Sequence, residues 1–252
     1  MTTLVRLLVA ILMLAGIAPC AAAQDDRSAR AIVESAIEAH GGELFLNPGT
    51  LQLRGTAIFY DPATGAVRSR VDDYRMWREF SEDRLVAHGA EGKVRIIATN
   101  ENVSLFEVGY DGETTWTQDG VMPRDEADAY WANNFGFGII RSALNDRFVL
   151  QTGPQRRIGG RETHIVRIID PQGQETLFGV DADSHFLTYM AFRSPRGFHE
   201  RLYGDFIKLE NGWVQARSVS LLYDGVLSNT VFWEHAVVGE PIDPVIFTPP
   251  SE

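Results

Sequence analysis

The sequence of 252 residues contains one cysteine, Cys20, and that residue lies in an N-terminal stretch that reads as a leader. Without Cys20 the chain has no thiol, so disulfides cannot hold the fold together and thiolate-based structural zinc is excluded. The six histidines, His40, His88, His164, His185, His199 and His235, fall in no H-E-x-x-H, H-x-H or C-x-x-H spacing, and no metal site is expected. There is no G-x-S-x-G for a serine nucleophile, and Gly159-Gly160 and Gly136-x-Gly138 lack the lysine and the strand-to-helix setting of a phosphate loop. Asp181-Ala182-Asp183 is too short for a calcium loop. Runs of like charge, fixed-period repeats and low-complexity segments are also missing, which argues against a charged tail, a solenoid or a linker. No catalytic group and no cofactor is expected. The one lead to acid–base chemistry is that His185 and His199 could meet across a hairpin near Asp181, Asp183 and Glu200. Acidic turn residues capping a hairpin are the commoner reason for such a cluster.

The N-terminus is where apolar residues concentrate. Met1–Arg6 carries one positive charge, Leu7–Ala18 is uncharged and apolar, and Pro19–Ala23 is small and ends in an A-x-A site. The apolar run is about a dozen residues, short of the roughly 20 that span a bilayer. Residues 1–23 are therefore expected to be a secretory signal peptide, and residues 24–252 one periplasmic domain. Ile17-Ala18-Pro19-Cys20 also approaches a bacterial lipoprotein box, departing from it at Pro19, so lipidation of Cys20 and outer-membrane anchoring is the alternative. Removing Arg6 with the leader takes the net charge from −11 to −12. A surface of that sign suits neither nucleic acid nor anionic lipid headgroups.

After the leader, helical spacing of Ala31, Ile32, Ser35, Ala36 and Ala39 predicts a helix over Asp26–His40, stopped by Gly41-Gly42. Strand patterns then dominate. Leu51, Leu53, Gly55, Ala57 and Phe59 alternate with polar residues, and the turn 61–65 leads into a strand over Val67–Phe80 with apolar groups on both faces. Such a strand is packed on both sides or lines a ligand space. Asp125–Asn145 reads as a second helix, N-capped by Asp125, with an uncharged middle weakened by Gly136 and Gly138. Long, evenly spaced strands follow, with Asn211-Gly212 and Asp224-Gly225 as hairpin turns. No connection is long enough for a parallel crossover, so the sheet should be antiparallel. About ten long strands and two helices leave a capped half-barrel, a closed barrel or a sandwich.

The order of elements resembles the LolA-like superfamily of bacterial lipoprotein carriers. The resemblance lies in a first helix ending Ala39-His40-Gly41-Gly42, the turn Tyr110-Asp111-Gly112-Glu113-Thr114-Thr115-Trp116 and a mid-chain helix. It continues through Asp181-Ala182-Asp183, Leu202-Tyr203-Gly204-Asp205-Phe206, Asn211-Gly212-Trp213-Val214 and a terminal Ile246-Phe247-Thr248-Pro249. It departs at Gln215-Ala216, where the family often has proline. The resemblance implies a mainly β protein: a long curved antiparallel sheet forming an unclosed half-barrel, with helices as a lid over an apolar cavity that takes acyl chains. It also implies an arginine on the concave sheet bonded to the lid, for which Arg54, Arg70 and Arg75 are candidates. The aromatic excess fits such a cavity. Phe59, Trp77, Phe80, Trp116, Trp131, Phe135, Phe137, Ile139 and Ile140 are the candidate cavity and lid residues, with Gly136 and Gly138 as lid hinges. The expected partner is a lipid, a lipoprotein acyl group or another hydrophobic molecule, without nucleic acid and with only transient membrane contact. An envelope sensor or interaction module on the same fold is the alternative, and an enzyme using the cavity a further one.

Overall fold

The computed structural model describes residues 18–82, 84–134 and 137–249, with residues 18–27, Asn134 and Phe137 described by backbone only. Most of the expected leader therefore lies outside the described residues. Helix α1 (Ala18–Ala39) is followed by a short α2 (Glu43–Leu46). The strands β1 (Thr50–Tyr60), β2 (Val67–Glu79), β3 (Lys93–Asn100), β4 (Val103–Tyr110), β5 (Thr115–Thr117) and β6 (Gly120–Val121) form a meander. Helix α3 (Arg124–Asn134) and a 3-10 turn (Phe137–Arg141) come next. The second run is β7 (Val149–Thr152), β8 (Arg156–Ile158), β9 (Arg161–Ile169), β10 (Glu175–Asp181), β11 (Leu187–Ser194), β12 (Gly197–Lys208), β13 (Val214–Tyr223) and β14 (Val226–Val238).

All fourteen strands join one antiparallel sheet in the order β6-β5-β4-β3-β2-β1-β14-β13-β12-β11-β10-β9-β7, with β8 paired to β9. The first and last strands meet in the middle, Leu51 opposite Val238, and the edges β6 and β7 do not pair with each other. The sheet is thus unclosed. Those edges are consecutive in the chain, so residues 122–148 must pass from one to the other. That connection carries α3 and the 3-10 turn.

The expected helix over Asp125–Asn145 is instead these two pieces. In the second piece the Gly138 backbone lies close to a buried ion cluster: a β-carbon there would stand 2.8 Å from Arg84 Nη1 and 2.9 Å from Glu91 Oε2. In α1 the buried stripe is Ala29, Val33, Ala36 and Ile37, continued by His40 just past its end. Ala31, expected on the buried face, is exposed. The observed stripe keeps the i, i+4, i+7, i+8 spacing but is rotated toward the larger Val33 and Ile37, which bury more surface. It packs on β7 and β9.

The two apolar faces of β2 come from a bulge. Gly55 pairs with Tyr74 and Ala57 with Val71, so Asp72 and Asp73 together oppose Thr56. The extra residue shifts the side-chain phase. Val71 faces inward before the bulge, and Tyr74, Met76 and Arg78 face inward after it; Trp77 faces outward. At the C-terminus, the prolines leave a 3-10 turn (Pro244–Phe247), N-capped by Asp243 and hung on the outer face by Arg95 Nη1 donating to Ile246 O at 3.1 Å. None of the helices among the described residues is long and apolar enough to cross a membrane.

Candidate functional site

The concave face of β1–β3 and β12–β14 encloses a cavity of about 640 Å³. Its walls follow the strand alternation. β1 supplies Leu51, Leu53 and Phe59; β2 supplies Tyr74 and Met76; Ile96 and Phe106 come from β3 and β4. Tyr203, Val219, Val231 and Trp233 close the opposite side. The rings form a connected wall, with Tyr74 centred 5.3 Å from Trp233 and 6.0 Å from Phe106, and Phe106 6.1 Å from Phe59. Burial pushes the Tyr74 hydroxyl up to about 12 and the Tyr203 hydroxyl up as well, so both are neutral donors.

The cavity has a mouth and a deep end. Pro62, Arg68, Arg196, Asp224 and Val226 line it where the β1–β2, β11–β12 and β13–β14 turns cluster, and all five are exposed. At the other end of the same strands lie His40, Phe45, Arg78, Phe80, Arg141 and Trp213. His40 pins the deep end. Its Nε2 accepts from Leu187 N at 2.9 Å, which leaves Nδ1–H to donate to Val214 O at 3.3 Å. Burial pushes this imidazole down to about 4, so it is neutral at physiological pH. The Ala39-His40-Gly41-Gly42 segment therefore ties α1 to β11 and β13.

Beside it three guanidiniums share one carboxylate. Arg78 Nη2 donates to Glu91 Oε2 at 3.0 Å, Arg84 Nη1 donates to the same oxygen, and Arg141 Nη2 lies 3.5 Å from Oε1. All four side chains are almost wholly buried. The Phe80 ring stacks under Arg141 at 3.9 Å and Arg78 at 4.6 Å. Burial drags Arg78 to about 9 and Arg141 to about 10, which still leaves both charged at neutral pH. Burial also pushes Glu91 upward, but the surrounding arginines outweigh it and hold its carboxyl below the ordinary range. Further along the wall, Arg201 Nε donates to His199 Nε2 at 3.0 Å. Burial, then the Arg201 charge, push His199 down to about 2.

Over the cavity lies α3, docked mainly through Trp131. Its Nε1 donates to Thr115 Oγ1 at 2.8 Å, and its ring packs on Val94 and Val108. Asn133 ties the end of the helix to the mouth, accepting from Arg196 N at 3.0 Å and from Tyr223 Oη at 3.4 Å.

Among the residues singled out from the sequence, Phe59, Phe80 and Trp131 line the cavity together. Trp77 lies on the outer face of β2. Trp116 is fully buried against Gly109, on the strand face opposite Thr115. Ile139 and Ile140 are buried in the main core beside α1 rather than in the cavity wall. Phe137 is described by backbone only, and Phe135 and Gly136 lie outside the described residues. The pairing of His185 with His199 does not form. His199 pairs with Phe192, five residues into β11 from Leu187, about 16 Å at roughly 3.3 Å per residue, while His185 sits in the turn before Leu187. Glu200 faces away and accepts from Tyr189 Oη at 2.8 Å. Sequence reading missed Tyr74, Phe106, Tyr203, Trp233 and the inward arginines. The i, i+2, i+4 spacing of Tyr74, Met76 and Arg78 was the available signal.

No protein-family model matches the chain, and no curated protein matches it. Solved structures do. An outer membrane lipoprotein-sorting protein domain from Vibrio parahaemolyticus superposes with a TM-score of 0.56 at 9% identity, covering 88% of this chain and 97% of that one. A DUF1329 family protein from Desulfovibrio piger gives 0.57 at 8% identity, covering 87% and 97%. A LolA superfamily protein from Nitrosomonas europaea gives 0.53 at 14% identity, also covering 87% and 97%. The fold is LolA-like. Within this LolA-like frame, none of Arg54, Arg70 and Arg75 is the arginine that faces the lid. Arg54 Nε and Arg75 Nη2 both reach Asp73 on the outer face, at 2.8 and 2.5 Å, and Arg70 is exposed. The β2 arginine that faces inward at the deep end is Arg78, linked through Glu91 to Arg141 of the lid connection.

Proposed function

We propose that the protein is a periplasmic carrier or binding protein that holds one hydrophobic ligand, such as an acyl chain, between the concave sheet and α3. The observation that carries this reading is the 640 Å³ space that the chain's own side chains leave beneath α3, walled by aromatic and aliphatic groups. That volume is within the range of about 300–1,000 Å³ of small-molecule sites. Each methylene transferred there contributes about 0.8 kcal/mol, so a 16-carbon chain gains on the order of 10 kcal/mol before the costs of association. Binding and release would need no covalent step, only displacement of a helix whose contacts with the sheet centre on Trp131 and on the bonds at Asn133. The likeness to a lipoprotein-sorting domain and a LolA superfamily protein supports the same reading.

Native mass spectrometry of the chain purified from a periplasm, followed by solvent extraction and lipid analysis, tests it. A lipid or acylated peptide at one per chain is the expected result. A clean apo mass, from protein that also takes up no fluorescent fatty acid, would overturn the carrier reading and favour a sensor or interaction module.

A further inference from the structure

The protein is acidic, yet its cavity is basic. Arg68, Arg78, Arg141, Arg196 and Arg201 line the space, and among the described lining residues Asp224, at the mouth, is the one acid. The excess is sharpest at the deep end, where Glu91 is the carboxylate for Arg78, Arg84 and Arg141. Among the other described acids nearby, Asp170 influences Arg84 but spends its oxygens on the backbone N–H groups of Ala87, Gln172 and Gln174, and Glu82, in the lining of the smaller cavity, is exposed. Arg141 is the least satisfied of the three. Its link to Glu91 is long, 3.5 Å, and its Nη1 is buried with no hydrogen-bond acceptor among the described residues. It stands in the wall shared by the main cavity and a smaller one of about 240 Å³. A buried cation with an unmatched donor is costly, and an incoming oxyanion removes that cost.

We propose that the deep end is an oxyanion subsite, and that the cavity selects an anionic amphiphile. Its carboxylate or phosphate head lies against Arg141 and Arg78, and its chain runs along Met76, Tyr74 and Trp233 toward the mouth. This rests on the carrier reading and adds the polarity of the ligand and its direction. Guanidinium groups suit such a head because they present paired donors to two oxygens. Burial leaves both arginines charged at neutral pH.

The test is titration calorimetry of the mature protein with dodecanoate, dodecyl phosphate and dodecanol, which share a chain and differ in head. An anionic head should bind about tenfold tighter than the alcohol or better, as expected for a charge-assisted hydrogen bond. The two anions tell whether carboxylate or phosphate is preferred. In Arg141→Gln the preference should collapse to about threefold or less while dodecanol binding is kept; Glu91 still has Arg78 and Arg84, so the fold should persist. Equal binding of alcohol and anions by the unaltered protein would overturn the oxyanion subsite and leave the carrier reading standing. So would a preference that survives Arg141→Gln. Failure of all three ligands to bind would overturn both.

Discussion

The two halves of the concave face are covered by two very different helices. Over β7 and β9, α1 lays down a continuous stripe, Ala29, Val33, Ala36 and Ile37, against Leu150, Val166 and Ile168 in one solid core. The alanines bring the helix close, and Val33 and Ile37 fill the space. Over the other half, the buried residues of α3 among those described are Ala127 and Trp131, one turn apart, with a half-buried Tyr130 beside them. A helix without a stripe cannot sink into the sheet. The sheet side chains beneath it then face space instead of helix, and the cavity is that space. Core and cavity thus differ through what lies above the strands more than through the strands themselves.

Breaking the packed half should do the most damage. Val33→Asp places a carboxylate where nothing is exposed, and should cost about 4 kcal/mol or more in denaturant unfolding. Ala129→Asp on the exposed side of α3 should stay within about 0.5 kcal/mol. Trp131→Ala comes next, at about 3 kcal/mol, from lost burial and the lost bond to Thr115. Hydrogen exchange should then quicken in α3 and β5 and leave α1 protected.

His40 gives an effect of similar or smaller size that depends on pH. Its folded value is about 4 and its ordinary value 6.5, so the unfolded chain takes the proton first. The stability it contributes is complete above pH 6.5 and is lost as pH falls toward 4, by up to about 3 kcal/mol. His88, also pushed down to about 4 by burial, acts in the same direction. His40→Gln should lower stability near neutral pH and flatten the profile across that window in pH-dependent denaturation. A change in the cavity wall should cost less stability than one at any of these buried positions. Val219→Trp should change stability by no more than about 1 kcal/mol, because there is room for the ring, yet weaken dodecanoate binding about tenfold or more.

The hairpin skeleton was legible because its turns are chemically marked. Asp61 Oδ1 accepts from Ala63 N and Thr64 N, and the Asn211-Gly212 and Asp224-Gly225 turns join their strands as expected. The phase of β2 was not legible. A bulge leaves no single-residue signature, and without it Trp77 reads as facing the same way as Val71. For that reason Trp77 was taken for a cavity residue and Tyr74, at the bulge, was passed over. The middle helix was misjudged in length because the segment after it packs Gly138 against Arg84 and Glu91, about fifty residues earlier in the chain, a contact that local spacing does not reveal. Which helix would sink and which would float was readable in principle, since α1 carries a spaced apolar stripe and α3 does not.

The most direct test of a ligand space confined to the concave face is an isotope-filtered NOE spectrum of labelled protein with unlabelled dodecanoate. Ligand methylene signals should reach the ring protons of Trp131, Trp213 and Trp233, which line the cavity, and should not reach Trp77 on the outer face. Contacts to Trp77 in place of Trp233 would contradict the account.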